Sequence, residues 1–488
     1  MALAVYNTMS GKKEKFVPLE EGKVKLYLCG PTVYDYLHIG NFRGPITFNL
    51  MRNWMEHIGY KVEMAYNYTD VDDKILKRAN DEGVSPSEIS EKYIAEFEKD
   101  FKALGLRSHD HNPKVTDHIP HIIESVQKLI ENGKAYEVDG EVFFSVKSFE
   151  NYGQLSKKKL DELDEGHRVE VDQRKRDAHD FVLWKPAKEG EGLSWDSPWG
   201  KGRPGWHIEC SAMIQAIFKG TIDIHGGGID LIFPHHENEI AQGEGCTGCK
   251  YCNYWVHNNF INMNDEKMSK SLGNIMTARS FMETYDAEIL KYMFLSAHYR
   301  TVFSVSDDRV LQVIAALNRI YNALELAKET VTMVDDQSQV DSGFSKKLEG
   351  LDAKIKKALN DDFNTAEFIS LVFEAVRTFN ALGFANKKKR NTVHKGCSEL
   401  FISWMKKYGD MSALFNEEPS KMINKLDEVS IKLKNIDKEK VEHLVAKRNE
   451  ARENKDWEAA DKIRDELAAL GVELSDGQSR GWRVILND

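Results

Sequence analysis

The stretch LYLCGPTVYDYLHIGN, residues 26–41, joins an apolar strand to the start of a helix. Its apolar run stops at Cys29, Gly30 and Pro31 break the strand, and His38 stands close before Gly40. A short apolar strand that ends in glycine and is followed by a helix is typical of a parallel α/β sheet. The N-terminus of such a helix offers free backbone N–H groups to a phosphate, so the stretch predicts the nucleotide-binding edge of a sheet.

The alternation of strand and helix is interrupted once along the chain. It runs to about residue 130, stops at KAYEVDGEVFFSV, where Asp139-Gly140 predicts a hairpin, and resumes at residue 206. Beyond Asp307 the apolar residues fall at helical spacing. We predict an α/β fold in which a Rossmann-like parallel-sheet domain (1–130 and 206–263) is split by an α+β insertion (131–205). A linking region (264–307), a helical bundle (308–425) and a small C-terminal domain (426–488) follow, with DDQSQVDSG and NKKKRNTVHKG as loops in the helical half.

The composition limits the classes of function. The chain has 488 residues, 41% of them hydrophobic, and a formal net charge of -11, which argues against an unspecific polyanion binder. No apolar run approaches the roughly 20 residues of a membrane span, and residues 1–16 lack the apolar core of a signal peptide. We therefore expect a cytoplasmic protein with no membrane partner, whose six cysteines stay reduced.

A second phosphate motif lies late in the chain. KMSKSLGN, residues 267–274, follows a strand and a turn, and its two lysines suit a loop that grips a polyphosphate. HIGN after the first strand and KMSKS after a late strand together resemble the paired signature of class I aminoacyl-tRNA synthetases. One departure is visible, because that motif commonly ends in histidine and here ends in Asn41, which cannot become a cation.

Three further segments could share one metal ion. They contribute Cys29, Cys210 from GWHIECSAM, and His235 and Glu239 from FPHHENE. His235 and Glu239 are four residues apart, so on a helix they share one face. Two thiolates, an imidazole and a carboxylate can form a zinc shell, although separate buried cysteines and a surface His-Glu pair would give the same letters.

The same segments closely resemble the cysteinyl-tRNA synthetase family. The resemblance implies one zinc ion per chain, bound by Cys29, Cys210, His235 and Glu239 in the amino-acid pocket, with His236 outside the ligand set. It implies ATP with Mg²⁺, L-cysteine and tRNA(Cys) as the other partners, and a connective-peptide insertion and an anticodon-binding tail as domains. The residues expected to contact ATP are His38, Gly40, Asn41, Lys267 and Lys270, of which His38, Lys267 and Lys270 are the expected catalytic residues.

Zinc has a chemical purpose in such an enzyme. Serine differs from cysteine by oxygen for sulfur, which an apolar pocket rejects by only about 1–3 kcal/mol. A thiolate is a good zinc ligand and a serine hydroxyl a poor one, so we expect zinc to select cysteine without a separate proofreading domain.

Two groups of residues are candidates for substrate contact. Thr69, Trp206, His225 and Asp230 lie in or near the same motifs and could hold the amino acid, although structural roles at strand ends and glycine turns fit them equally. In RENKDWEAADKIRDEL the mix of basic, aromatic and acidic residues suits RNA, and a solvated amphipathic helix gives the same letters. The family resemblance makes four tail residues candidate anticodon readers: Arg452, Trp457, Asp461 and Asp476.

Other readings remain open at this point. CTGCKYC has metal-like spacing at Cys246, Cys249 and Cys252 but supplies only three thiols, and reduced surface thiols are the alternative to a second metal. The histidines at 109, 111 and 118 fit a polar loop that opens a helix, and Cys397 fits packing. A ligase that joins cysteine to an amino sugar, or a catalytically silent RNA-binding relative, are the competing functions. We expect a monomer.

Overall fold

Four parallel strands form the sheet at the centre of the N-terminal half. In spatial order they are β10 (Cys252–Asn258), β9 (Ile222–Gly228), β3 (Lys23–Leu28) and β4 (Lys61–Tyr66). Every neighbouring pair is parallel, so the carboxyl ends of the strands share one edge. The computed structural model describes residues 2–159, 172–188, 191–263, 266–267, 276–384, 387–474 and 481–486.

Helix α1 (Arg43–His57) packs against one face of this sheet, and most of its side chains are buried. Phe48 of α1 lies directly over β9, where a Cβ atom at Gly226 would come within 2.2 Å of its ring. Glycine at 226 therefore allows the helix to pack closely on the strand. The other helices of this half are α2 (Asp73–Glu82), α3 (Pro86–Ala103), α4 (Ile119–Glu131), α5 (Ile208–Phe218) and α6 (Glu237–Thr247).

The segment that interrupts the parallel sheet forms an antiparallel sheet of its own. Its strands are β5 (Ala135–Val138), β6 (Glu141–Phe144), β7 (Phe181–Pro186) and β8 (Gly202–Pro204), in that spatial order. Between β5 and β6, Asp139 and Gly140 have φ values of 52° and 81°. Positive φ at both turn positions matches a type I′ hairpin turn, so the hairpin predicted from Asp139-Gly140 is confirmed.

An N-terminal hairpin was not predicted. It consists of β1 (Ala4–Asn7) and β2 (Lys12–Lys15), whose strands are too short to show a clear period. The backbone N–H of Thr8 donates to the Trp255 carbonyl at 2.9 Å, and that of Ala4 donates to the Asn360 carbonyl at 2.8 Å. The hairpin thus ties the parallel sheet to the helical half.

A small mixed sheet and two short helices follow the parallel sheet. The strands are β11 (Ile261–Met263), β12 (Glu266–Lys267) and β13 (Phe303–Val305), and the helices are α7 (Ala278–Thr284) and α8 (Ala287–Leu295). Buried Arg43 connects α1 to this region, because its guanidinium donates to the backbone carbonyls of Asn259, Phe260, His298 and Thr301. The helix that begins at the HIGN motif is therefore anchored at its first residue.

The rest of the chain is helical up to the tail. The helices are α9 (Asp307–Met333), α10 (Ser342–Leu359), α11 (Thr365–Asn380), α12 (Thr392–Ser412) and α13 (Pro419–Leu433). The predicted loop at 386–396 is wrong in its second half, because Asn391 caps α12 by accepting from the N–H groups of Val393 and His394. Of the helices in the described ranges, none combines the length and apolar character needed to cross a membrane.

One apolar core joins the sheet to the helical bundle, a second core joins the sheet to the insertion and to helices α4 to α6, and the tail has a small core of its own. The tail consists of α14 (Lys438–Glu453), α15 (Trp457–Ala469), β14 (Val472–Leu474) and β15 (Trp482–Val484). Buried Val441, Leu467 and Trp482 are central to that core. The tail therefore packs as a separate unit at the end of α13.

Candidate functional site

The four predicted metal ligands meet at the carboxyl edge of the parallel sheet. Cys29 directly follows β3, Cys210 lies in the first turn of α5, and His235 and Glu239 flank the start of α6. One ligand atom from each of the four residues lies within 4.8 Å of the others. The fold therefore brings together segments that are up to 210 residues apart in sequence.

The contacts within this group are short and shielded from solvent. Sγ of Cys29 lies 3.7 Å from Sγ of Cys210 and 3.5 Å from Oε1 of Glu239. The same oxygen lies 3.1 Å from Nε2 of His235. Cys210, His235 and Glu239 are buried, and Cys29 is partly buried.

Burial and the neighbouring charged groups shift the pKa values of these residues, which are lowered at Cys210 and raised at Cys29 and His235. The hydrogen bond from the Cys29 thiol lowers the pKa of Cys210 to about 6, and His235 acts in the same direction against the effect of burial. Burial raises the pKa of Cys29 well above its usual range. Burial would lower the pKa of His235, but Glu239 and Cys210 together raise it to about 10. Together with a lowered pKa of Glu239, these shifts favour a thiolate and a carboxylate beside a protonated His235.

This donor set fits a zinc ion. Two sulfurs, an imidazole nitrogen and a carboxylate oxygen are ligands that zinc prefers, and their number suits a tetrahedral site. A buried thiolate and a buried carboxylate cost free energy unless they are matched by positive charge. A bound dication would supply that charge and would displace the protons of His235 and Cys29.

The second oxygen of Glu239 faces the protein. Oε2 lies 2.9 Å from Nε2 of His225 and accepts a hydrogen bond from the Tyr251 hydroxyl at 2.8 Å. His236, predicted to lie outside the ligand set, joins Cys29, His225 and Glu239 in a second, overlapping group of ligand atoms within 4.8 Å. Its Nδ1 lies 2.8 Å from Nε2 of His257.

Three of the four candidate substrate residues lie around this group: Trp206, Thr69 and His225, which contacts Glu239. The Trp206 ring stacks on His235 with centroids 4.4 Å apart and remains 42% exposed, so it forms part of the outer wall. Thr69 is buried beside the Cys29 loop, where its backbone N–H donates to the Pro31 carbonyl at 3.1 Å. The fourth, Asp230, is exposed in the turn after β9.

Asn67 joins the thiol loop to Thr69. Its side-chain oxygen accepts from the backbone N–H of Gly30 at 2.8 Å and lies 3.9 Å from Sγ of Cys210. Its amide donates to the Thr69 hydroxyl at 3.3 Å. Because Asn67 is buried, with 1% of its surface exposed, and accepts from the Gly30 N–H, it holds the loop that carries Cys29 in place.

The HIGN motif forms a helical turn immediately before α1. A 3-10 turn covers Ile39–Phe42, and the side-chain oxygen of Asn41 accepts from the backbone N–H of His38 at 3.1 Å. Asparagine at this position thus supports the turn through its side-chain oxygen, which does not require a cation.

The residues that follow the KMSKS stretch, from Met276 onward, lie beside that turn. The N–H of Ile39 donates to the Met276 carbonyl at 3.1 Å, and the N–H of Ala278 donates to the Leu37 carbonyl at 2.9 Å. The backbone of Lys267 lies in β12 and pairs with Asn262. Lys270 and the Lys267 side chain lie outside the described residues.

Three of the four candidate anticodon residues lie on the two tail helices. Arg452 lies in the last turn of α14, and Trp457 begins α15 with 60% of its surface exposed. Asp461 lies one turn later and pairs with Arg464 at 2.9 Å. Asp476 lies outside the described residues.

The cysteines of CTGCKYC do not converge. The Cys252 thiol donates to the carbonyls of Asp223 and Tyr254, Cys249 is exposed, and Cys246 lies partly buried at the end of α6. Among the described residues, the two groups that share Cys29 and Glu239 are the ones whose ligand atoms converge. Cys397 is fully buried in the helical core, in agreement with the packing prediction.

Sequence reasoning missed Tyr251, Asn67 and His257. Tyr251 lies inside the CTGCKYC stretch, between Cys249 and Cys252, where the thiols drew attention instead. Asn67 stands two residues before Thr69, in a strand end that resembles many others. Their importance depends on contacts across the sheet edge, which spacing along the chain does not reveal.

Replacing Gly30 with alanine tests the geometry of the thiol loop. A Cβ atom at Gly30 would lie 1.7 Å from the Asn67 carbonyl oxygen, so the loop that carries Cys29 would have to move. We expect Gly30→Ala to weaken zinc binding at least about tenfold, measured by chelator competition.

The matched control is Gly350→Ala, since Gly350 lies in α10 and a Cβ atom there meets nothing within 4 Å. That variant should bind zinc normally and gain up to about 1 kcal/mol in stability. Unchanged zinc binding by Gly30→Ala would show that the Cys29 loop does not hold the metal.

Comparisons with known proteins agree with the geometry. Three family models match: the class I (C) tRNA synthetase catalytic domain over residues 15–315, the DALR domain over 354–406, and the cysteinyl-tRNA ligase anticodon binding domain over 438–480. A methionyl-tRNA synthetase from Mycobacterium tuberculosis, in complex with methionyl-adenylate, shares the fold with a TM-score of 0.58 at 13% identity, covering 85% of this chain and 93% of that one.

Curated relatives match over the full length. The cysteine–tRNA ligase of Bdellovibrio bacteriovorus is 52% identical over 483 residues, covering 99% of both chains. That of Geobacter sulfurreducens is 46% identical over 486 residues, covering 99% of this chain and 100% of the relative. The protein therefore belongs to the cysteine–tRNA ligase family of class I aminoacyl-tRNA synthetases.

Proposed function

We propose that this ligase selects L-cysteine through a zinc ion held by Cys29, Cys210, His235 and Glu239. The observation that carries the proposal is the convergence of four suitable ligand atoms within 4.8 Å in a buried pocket. When bound, the zinc ion would supply an affinity for sulfur that a serine hydroxyl does not match. The protein then needs no second site that hydrolyses serine products.

The chain's own residues would shape the rest of this pocket. Trp206 covers His235 from the solvent side, so it can restrict the entrance. Thr69 is buried beside the Cys29 loop, and we propose that it and Asp230 contact the polar groups of the amino acid. His225 is held by Glu239, which favours a role in supporting the ligand set over direct contact with substrate.

We propose that cysteine is activated at the adjoining nucleotide edge. The cysteine carboxylate attacks the α-phosphorus of ATP, which forms cysteinyl-adenylate and releases pyrophosphate. His38, Lys267 and Lys270 would stabilise the charge that develops on the phosphates, with Mg²⁺ bound to ATP. Gly40 and Asn41 would form the floor against which the nucleotide lies.

The second step requires tRNA(Cys). A terminal ribose hydroxyl of the tRNA takes the cysteinyl group from the adenylate and releases AMP. We propose that Arg452, Trp457, Asp461 and Asp476 read the anticodon, supported by the exposure of the Trp457 ring on the tail. We propose that the enzyme acts as a monomer in the cytoplasm, where its free cysteines would stay reduced.

The competing functions lack support. A ligase that joins cysteine to an amino sugar would not need the tail that matches an anticodon binding domain. A catalytically silent relative would not need all four convergent ligands together with HIGN and KMSKS.

Exchange of labelled pyrophosphate into ATP tests the selection of cysteine. With the wild-type protein, we expect cysteine to exceed serine by more than about 200-fold in kcat/KM, the limit that an apolar pocket reaches. Cys210→Ser should lose bound zinc and cysteine-dependent exchange together, because it removes one sulfur ligand.

Cys249→Ser is the control, since it removes an exposed thiol outside the ligand set. It should keep both zinc and exchange. Equal exchange with serine, or full zinc content in Cys210→Ser, would refute the proposal.

A second prediction concerns the tail. Trp457→Ala should lower kcat/KM for tRNA charging by about 5- to 150-fold, since base stacking on an aromatic ring contributes about 1–3 kcal/mol. Pyrophosphate exchange should stay within about twofold, because the adenylate forms in another domain.

Lys462→Ala on the same helix serves as its control. Lys462 is exposed and pairs with Glu458, so its loss should affect charging little. Equal effects of the two variants would show that charging responds to any change on this helix, and would contradict a specific stacking role for Trp457.

A further inference from the structure

We propose that Tyr251 is a positioning residue of the zinc site, because its hydroxyl holds one oxygen of Glu239 so that the other faces the metal. This inference rests on the proposed zinc site. Tyr251 lies just before β10, outside the segments that carry the family resemblance, and its side chain is buried.

The two oxygens of Glu239 have separate partners. Oε1 lies toward Cys29 and His235, whereas Oε2 accepts the Tyr251 hydrogen bond and lies beside Nε2 of His225. A carboxylate whose second oxygen is held from two sides cannot rotate freely about its terminal bond. Glu239 is therefore presented to a metal through one oxygen.

The contact is built into helix α6. A Cβ atom at Gly243 would lie 2.3 Å from Cδ2 of Tyr251, so glycine at this position allows the ring to lie against the helix. Gly243 and Glu239 are four residues apart and share a face of α6. The close approach at Gly243 thus allows the Tyr251 hydroxyl to reach the carboxylate about one helical turn away.

The two groups that hold Oε2 come from different parts of the sheet. His225 lies on β9, and Tyr251 lies in the segment that enters β10, the neighbouring strand. Such outer partners fix the orientation of a ligand, and their loss typically weakens metal binding by about 10- to 100-fold. Tyr251 would thereby also affect how well the pocket takes cysteine.

Tyr251→Phe removes the hydroxyl and keeps the ring. We expect its zinc dissociation constant, measured by chelator competition on the full-length protein, to rise about 10- to 100-fold. The KM for cysteine in pyrophosphate exchange should rise, and the KM for ATP should stay unchanged. A purely structural role would lower the melting temperature without changing zinc affinity selectively.

Tyr254→Phe is the matched control. Tyr254 is also buried at this strand, but its hydroxyl donates to the Lys15 carbonyl and accepts from the Val17 N–H, away from the ligand set. It should bind zinc as the wild-type protein does. Gly243→Ala should mimic Tyr251→Phe, because it displaces the ring while the hydroxyl remains.

The outcomes separate this inference from the proposed function. If the wild-type protein binds zinc and Tyr251→Phe binds it with an affinity within threefold of wild type (about 0.7 kcal/mol), the role of Tyr251 is refuted and the zinc site stands. If the wild-type protein binds no zinc, the proposed function itself fails, and this inference fails with it. Equal weakening by Tyr254→Phe would also overturn the role assigned to Tyr251.

Discussion

The Glu239 carboxylate is the group on which the site depends. It is fully buried, and its oxygens contact a thiol, two imidazoles and a phenol that come from four segments of the chain. Burying a carboxylate costs free energy unless each oxygen has a partner, so the folded protein must bring these segments together. The parallel sheet makes this possible because the carboxyl ends of its strands share one edge.

One loop would connect the two proposed substrate sites of the activation step. The loop begins with Cys29 and is held by the hydrogen bond from the Gly30 N–H to Asn67. It ends at His38, next to the turn that contacts Met276. Arg43 then fixes the start of α1 through four backbone carbonyls. The distance between the proposed metal ligands and the HIGN turn is therefore set by a short segment anchored at both ends.

The sequence predicted the split sheet and the Asp139-Gly140 hairpin, because strand and turn residues there follow strong local rules. Spacing linked His235 to Glu239, and the residue types made a shared metal with Cys29 and Cys210 one of two open interpretations. The family resemblance then implied all four residues as the ligand set. The hairpin formed by β1 and β2 was missed because four-residue strands show no period. The contact of Tyr251 with Glu239 was missed because contacts across a sheet edge leave no pattern along the chain. The helix start at Asn391 was hidden by the basic residues before it.

X-ray absorption at the zinc edge tests the central claim most directly. The account predicts one zinc ion per chain with two sulfur neighbours and two nitrogen or oxygen neighbours in the substrate-free protein. Adding L-cysteine should raise the number of sulfur neighbours to three, and adding L-serine should leave the spectrum unchanged. A sulfur count that does not change with cysteine, or a protein that holds no zinc, would contradict the claim that this ligase recognises its amino acid through the metal.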